Sequence, residues 1–168
     1  MSATPVELRE ARTADVAVIR HLVDTYASDR ILLSKATVTL FEDIQEFYVA
    51  EVDGVIVGCG ALHVLWEDLA EVRTLAVDLE YRGRGIGDLL LRRLLQQARH
   101  LGVARVFCLT FEVDFFSRHG FAEIEGAPVS HDVFEQLLES YDEGVAEFLG
   151  LERVKPNTLG NARMLLVL

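Results

Sequence analysis

Two groups of residues near the middle of the chain have types and spacing that could carry out chemistry. The first is Glu71, which begins the apolar stretch 71–77 (EVRTLAV), and the second is the hexad 82–87 (RGRGIG). A carboxylate in an apolar strand is shielded from water, which is the setting in which enzymes place a general base. A glycine turn that opens a helix presents backbone N–H groups and the positive end of the helix dipole to a phosphate. The sequence therefore predicts proton transfer beside a phosphate-bearing ligand.

The hexad does not match the two most familiar phosphate-binding loops. A Walker A loop has a lysine after its last glycine, and Asp88 occupies that position here. The dinucleotide fingerprint needs a further glycine three residues after its second one, where this chain has Asp88 or Leu90. Nucleoside triphosphate hydrolysis and dinucleotide binding are therefore not expected.

The hexad matches a third pattern, Arg/Gln-x-x-Gly-x-Gly/Ala, through Arg82, Gly85 and Gly87. A strand that ends at Val77 precedes it, and the segment 115–121 (FFSRHGF) follows it. These three motifs, in this order, resemble the Gcn5-related N-acetyltransferases (GNAT). The resemblance implies an α/β fold with a mixed central sheet, in which two parallel strands splay apart near a bulge, placed here near Val77, and helices flank the sheet.

The resemblance also implies that acetyl-CoA is the co-substrate and that no metal takes part. The pyrophosphate is expected on the hexad and the pantetheine arm on the preceding strand, although Arg82 and Arg84 could also be solvated turn charges. The cofactor-binding residues implied are Leu75, Ala76, Val77, Arg82, Gly83, Arg84, Gly85, Ile86, Gly87, Phe115 and Phe116.

Acetyl transfer to an amine requires a deprotonated amine, and hence a general base. Glu71 lies where members of this family carry a glutamate base, although it could instead be a solvent-facing residue or a partner for Arg73. The position expected to carry the general acid, which would protonate the leaving thiolate, departs from the family pattern. Phe116 stands where many relatives have a tyrosine, and a phenyl ring donates no proton. Either the thiolate leaves unaided, or another side chain serves as the acid. The candidates are Ser117, His119 and Tyr141.

Further segments are similar to the acetyltransferase part of bacterial N-acetylglutamate synthases, especially the short single-domain kind. They are 31–35 (ILLSK), 58–62 (GCGAL), 71–77, 107–110 (FCLT), 154–157 (VKPN) and 160–166 (GNARMLL). This resemblance implies acetylation of the α-amino group of glutamate or glutamine, the first step toward arginine. Basic side chains suit the α-carboxylate of such a substrate. The substrate-binding candidates are Lys35, Arg73, Asn161 and Arg163, each of which could equally be an ordinary surface residue.

Two other functions remain open. One is an acetyltransferase for another amine, such as a different amino acid, a polyamine or a protein N-terminus. The other is an acyl-CoA sensor without turnover, which the phenylalanine at position 116 favours and the retained Glu71 disfavours.

Size and charge limit the class of protein. The 168 residues fit one N-acetyltransferase domain, 1–168, and the net charge of −11 argues against nucleic-acid and anionic-membrane partners. Cys59 and Cys108 lie in apolar strands without metal-binding spacing, so both are expected to be buried thiols. No apolar run is long enough for a signal peptide or a membrane span, which predicts a cytoplasmic protein. The fold allows a homodimer.

Hydrophobic periodicity predicts the elements that must position these residues. Strands are expected at 6–12, 47–52, 55–64, 71–77, 103–110 and 164–168, and helices at 16–26, 38–44, 89–101 and after Ser130. Asp53-Gly54 predicts a hairpin, the acidic segment 142–152 is expected to pack, and Pro156 predicts an extended or turning segment at 155–157.

Overall fold

The computed structural model describes residues 4–27 and 36–168. Its strands are β1 (Glu7–Glu10), β2 (Phe47–Val52), β3 (Val55–Trp66), β4 (Leu69–Val77), β5 (Arg105–Thr110), β6 (Ala122–Ile124) and β7 (Ala162–Val167). Its helices are α1 (Val16–Ala27), α2 (Thr37–Glu42), α3 (Ile86–Leu101), α4 (Val113–Arg118), α5 (His131–Leu137), α6 (Glu143–Leu149) and α7 (Lys155–Thr158).

The strands form a mixed seven-stranded sheet with the order β1-β2-β3-β4-β5-β7-β6. β4 runs parallel to β5, and this ladder contains the pairs from Leu69–Arg105 to Glu71–Phe107. The pairs β1–β2, β2–β3, β5–β7 and β6–β7 are antiparallel. The expected α/β architecture, a mixed sheet flanked by helices, is confirmed.

The chain divides into two compact units, and β3 and β4 each contribute residues to both. The first contains Met1–His63 and Val72–Leu101, and the second contains Val64–Glu71 and Gly102–Leu168.

In the first unit, α3 packs very closely on β3. The helix directs Leu90, Leu91, Leu94 and Ala98 into the core, all of them fully buried. β3 has glycines opposite this face, since a Cβ at Gly58 or Gly60 would lie 3.0 Å from Leu90 Cδ1 or Leu94 Cδ1. Ile86, the first residue of α3, also lies near Gly58, with its Cγ2 3.3 Å from that Cβ position. The small residues of β3 therefore fix the start of α3, and with it the end of the glycine loop.

The second unit has a core around Phe107 of β5 and Phe148 of α6. Their rings meet edge to face, with centroids 4.8 Å apart. Local signals define the helices that cover this core. Ser130 Oγ accepts a hydrogen bond from Val133 N at the start of α5, and Asp142 Oδ1 accepts one from Val145 N at the start of α6. The predicted helix after Ser130 and the packing of the acidic segment are confirmed.

Most predicted elements are present, and two differences are informative. The segment 155–157 was predicted as extended or turning, which is wrong, because it belongs to α7. Pro156 lies in the first turn of that helix, where a residue without an N–H breaks no helical hydrogen bond. The three-residue β6 was not predicted, since it exists through its pairing with β7 rather than through its own composition.

Candidate active site

The glycine hexad lies in the first unit, between β4 and α3. Arg82 is extended, whereas Gly83 and Gly85 have φ angles of +77° and +79°, a conformation that favours glycine. The first helical hydrogen bond of α3 runs from Leu89 N to Gly85 O, so the N–H groups of its first turn have no acceptor within the helix. A Cβ at either glycine would meet no atom within 4 Å, so neither glycine is packed against protein there. This cradle of backbone donors at a helix N-terminus fits a pyrophosphate group.

The strand before the hexad contains an irregular residue, but not at the expected place. Thr74 has a φ of +56° although it is β-branched and only 8% exposed, and its carbonyl lies 3.4 Å from Cys59 Sγ. Such strained residues persist only where the surrounding fold holds them. The irregularity of β4 therefore lies at Thr74 rather than near Val77. Beyond it, Leu75 and Val77 are partly exposed and Ala76 is buried.

Glu71 belongs to the second unit and is only 3% exposed, so the alternative of a solvent-facing residue is wrong. It is the last β4 residue in the ladder with β5, opposite Phe107. Burial raises the pKa of the neighbouring Cys108 thiol, and the negative charge of Glu71 raises that pKa further. The ladder end therefore combines a buried carboxylate with an inert thiol.

Arg163 lies on β7 in the same unit, with its guanidinium over the ring of Phe107 at 5.0 Å from the centroid. It donates from Nε to Gly126 O at 2.7 Å, from Nη1 to Glu147 O at 3.4 Å, and from Nη2 to Phe148 O. Burial lowers the pKa of Arg163, and the charge of Glu71 acts in the opposite direction. The structure thus places Glu71 and Arg163 within electrostatic reach of each other, while three backbone carbonyls hold the guanidinium.

The other substrate-binding candidates lie in different settings. Asn161 precedes β7, and its Oδ1 is buried without a hydrogen-bond partner among the described residues. Such an orphaned acceptor fits an N–H of a ligand, because native proteins pair nearly all buried polar groups. Arg73 is partly buried on β4, in the first unit. Lys35 lies outside the described residues.

The aromatic segment forms α4 and the turn after it. Phe116 is 6% exposed and meets Phe115 and Phe121 edge to face, with centroids 5.1 and 5.2 Å away. Phe116 is thus a packing residue of the second unit. Among the alternative acids, Tyr141 is fully exposed, Ser117 is exposed, and His119 is partly exposed next to Phe115.

Sequence reasoning missed two residues that shape the end of β4. Asp78 Oδ1 accepts a hydrogen bond from Glu80 N at 2.9 Å and caps the 3-10 turn Leu79–Tyr81. The Tyr26 hydroxyl, from α1, donates to Val77 O. An aspartate just after a strand is a recognisable capping signal, but no local pattern shows where a tyrosine at the end of an amphipathic helix will bind.

Residues 4–27 and 36–168 contain no group of three His, Cys, Asp or Glu side chains that could hold a metal ion. No helix in the same ranges is long and apolar enough to span a membrane.

Comparison with known proteins defines the class of protein. Residues 16–121 match the model of the acetyltransferase (GNAT) family, and the chain belongs to this family. It is an acetyltransferase whose co-substrate is acetyl-CoA. The resemblance seen in its motifs is confirmed.

Individual relatives show which acetyltransferases this chain is similar to. An amino-acid acetyltransferase from Mycobacterium tuberculosis is 62% identical over 164 residues, which cover 96% of this chain and 94% of that protein. A crystal structure of a protein from Mycobacterium tuberculosis in complex with CoA and NLQ superposes with a TM-score of 0.94 at 61% identity, covering 96% of this chain and 99% of that one. An N-acetylglutamate synthase from Neisseria gonorrhoeae, complexed with coenzyme A and N-acetyl-glutamate, shares the fold. Its TM-score is 0.78 at 24% identity, over 99% of this chain and 36% of that one.

Proposed function

We propose that residues 1–168 act as one N-acetyltransferase domain that transfers the acetyl group of acetyl-CoA to the α-amino group of L-glutamate or L-glutamine. The observation that carries this proposal is the buried Glu71 carboxylate at the end of the β4–β5 ladder, within electrostatic reach of Arg163. The 62% identity to an amino-acid acetyltransferase supports an amino acid as the acceptor.

Acetyl-CoA is held by the backbone of two adjoining segments. The residues 82–87 bind the pyrophosphate through the N–H groups around Gly83, Gly85 and the start of α3. Arg82 and Arg84 supply positive charge on an otherwise acidic protein. Main-chain groups of Leu75 to Val77 bind the pantetheine arm, and the partly exposed Phe115, with the buried Phe116 packed against it, forms an apolar surface for the same ligand. Bound acetyl-CoA supplies the thioester that the acceptor amine attacks.

Glu71 serves as the general base. An α-ammonium group must lose a proton before its nitrogen can attack a thioester, and Glu71 takes that proton directly or through water. Its burial excludes competing solvent, and three backbone carbonyls hold the cation of Arg163 in the same unit. Because Phe116 has no proton to donate, the thiolate takes its proton from water, from the exposed Ser117 or from the partly exposed His119.

Basic and amide side chains hold the amino acid. The candidates for binding the α-carboxylate are Arg73, Lys35 and Arg163. Arg163 has five N–H groups, of which three donate to backbone carbonyls and two remain for the substrate. The orphaned Oδ1 of Asn161 accepts an N–H of the substrate. On this basis the enzyme works in the cytoplasm, at the start of arginine biosynthesis, and a homodimer is compatible with it.

Thiol release from acetyl-CoA by the purified protein tests the function. The acceptors are L-glutamate, L-glutamine, other amino acids, a polyamine, a short peptide, and the α-amide of glutamate, which lacks the charged α-carboxylate. We expect turnover with glutamate or glutamine and a loss of at least about tenfold in kcat/KM for the α-amide. Turnover confined to cationic amines or peptide contradicts the amino-acid proposal. Binding of acetyl-CoA without turnover of any acceptor identifies a sensor instead.

A further inference from the structure

The last peptide of β4 is held from two sides within the first unit. The carbonyl of Val77 accepts a hydrogen bond from the hydroxyl of Tyr26, on α1. The N–H of the same peptide belongs to Asp78 and donates to Val57 O of β3 at 2.8 Å. With its carbonyl tied to a helix and its N–H tied to a strand, this peptide plane has a single orientation.

The chain after this peptide leads directly into the glycine hexad. Asp78 O accepts from Tyr81 N at 2.9 Å, and Asp78 Oδ1 accepts from Glu80 N at 2.9 Å, so the intervening turn is fixed to the same residue. Arg82 then begins the hexad. The orientation of the Val77–Asp78 peptide therefore sets the direction in which the chain enters the loop, and the direction in which the strand end presents its main-chain groups.

We infer that Tyr26 is a positioning residue for acetyl-CoA, whose hydroxyl orients the end of β4 for the pantetheine arm. This inference rests on the cofactor-binding role proposed above for Leu75 to Val77. A carbonyl oxygen has two lone pairs, so the bond from Tyr26 leaves Val77 O one position for a ligand N–H. Tyr26 touches neither the thioester nor the acceptor in this scheme, and it acts only through the strand.

The surroundings of Tyr26 allow its positioning role to be tested with a variant that still folds. Tyr26 is 8% exposed, but a cavity of about 320 Å³ adjoins it, lined by residues of α1 and by Asp78, Leu79 and Glu80. Polar side chains such as Asp78 contribute to this cavity, and Val77 next to it is itself partly exposed, so water can take the place of the Tyr26 hydroxyl at Val77 O. Tyr26→Phe therefore loses the fixed orientation without leaving a buried carbonyl unpaired, and we expect it to fold.

A matched pair of variants tests the inference. Tyr48→Phe is the control, because Tyr48 is also a buried tyrosine of the first unit and its hydroxyl lies 3.1 Å from Gln97 Oε1, on α3. For Tyr26→Phe we expect KM for acetyl-CoA, and the dissociation constant of CoA measured by calorimetry, to rise about five- to tenfold, with kcat within about twofold of the parent. For Tyr48→Phe both binding constants stay within about twofold.

S-acetylpantetheine, which lacks the pyrophosphate, shows whether Tyr26→Phe weakens binding of the pantetheine arm or of the pyrophosphate. If Tyr26 positions the strand for the pantetheine arm, Tyr26→Phe lowers kcat/KM for this truncated donor by a similar factor. The inference is overturned by unchanged CoA binding in Tyr26→Phe, by an equal loss in Tyr48→Phe, or by a loss absent with S-acetylpantetheine. Calorimetry with CoA needs no acceptor, so it decides on Tyr26 even if glutamate and glutamine prove not to be substrates.

Discussion

Replacement of Glu71 by glutamine is the sharpest test of the proposed chemistry. Glutamine has nearly the volume of glutamate, so the buried site keeps its shape while it loses a charge and a proton acceptor. General-base catalysis contributes about 10²- to 10⁴-fold in rate. We expect kcat/KM to fall by that factor, which corresponds to about 2.7–5.4 kcal/mol of transition-state stabilisation. CoA binding is expected to be unchanged, because the hexad belongs to a different part of the chain.

The structure also indicates how much Glu71→Gln should lower the free energy of unfolding. A buried charge that is left without any compensating partner typically costs about 3–5 kcal/mol. Arg163, on which the charge of Glu71 acts, is not left in that state by Glu71→Gln, because it keeps its three carbonyl acceptors and the ring of Phe107. We therefore expect Glu71→Gln to lower the free energy of unfolding by only about 1 kcal/mol. Denaturant titration measures this change.

Glu123→Gln is the matched control, since Glu123 lies exposed on β6 in the same unit and the substitution removes the same charge. It should leave both the rate and the stability nearly unchanged. Initial rates measured from pH 5 to 9 complete the test, and the decline at acidic pH should be altered in Glu71→Gln alone. A Glu71→Gln rate within about threefold of the parent, with the same pH profile, would refute the assignment of the base.

Two further predictions concern the first unit. The Arg9 guanidinium, bonded to Asp15 at 2.7 and 3.0 Å, lowers the pKa of that carboxyl. The pair therefore stabilises the fold fully above about pH 4 and loses its effect as the pH falls through the lowered pKa. Asp15→Asn should cost about 2 kcal/mol at pH 7 and progressively less in acid. The exposed Asp24→Asn should cost only about 0.5 kcal/mol at pH 7, and equal losses in the two variants would contradict this. Gly85→Ala and Gly54→Ala place a Cβ at similar positive φ angles and should each cost about 1 kcal/mol in thermal or denaturant unfolding. Only Gly85→Ala should weaken CoA binding, by about tenfold in calorimetry, and a similar loss in both variants would argue against the cradle.

Much of the fold could be predicted because its signals are local. Asp53-Gly54 predicts a hairpin through the backbone conformations that its two residues accept, and both have positive φ angles in the structure. Ser130 predicts the start of α5 because its hydroxyl reaches an N–H three residues away. The prediction for Pro156 failed for the same reason that these succeeded, since a proline fits both a turn and the first turn of a helix, and its own residues do not decide between them.

The candidate site shows where local signals end. The hexad 82–87 could be recognised as an anion cradle from the sequence, because glycines at positive φ and a helix start are properties of neighbouring residues. Glu71 could be named from its polarity in an apolar strand, but its burial and its place at the end of a ladder depend on β5, more than thirty residues away.

The amino-acid sequence by itself determined the order of the elements, the buried faces of the helices and the glycine loop, because these follow from the types and spacing of adjacent residues. Only the tertiary structure decided that carbonyls from two distant segments hold Arg163, that the irregular residue of β4 is Thr74, and that Tyr26 binds the last peptide of that strand. The physical reason is that a polar side chain binds whichever partner the fold brings within about 3 Å, and distance along the chain does not encode that partner.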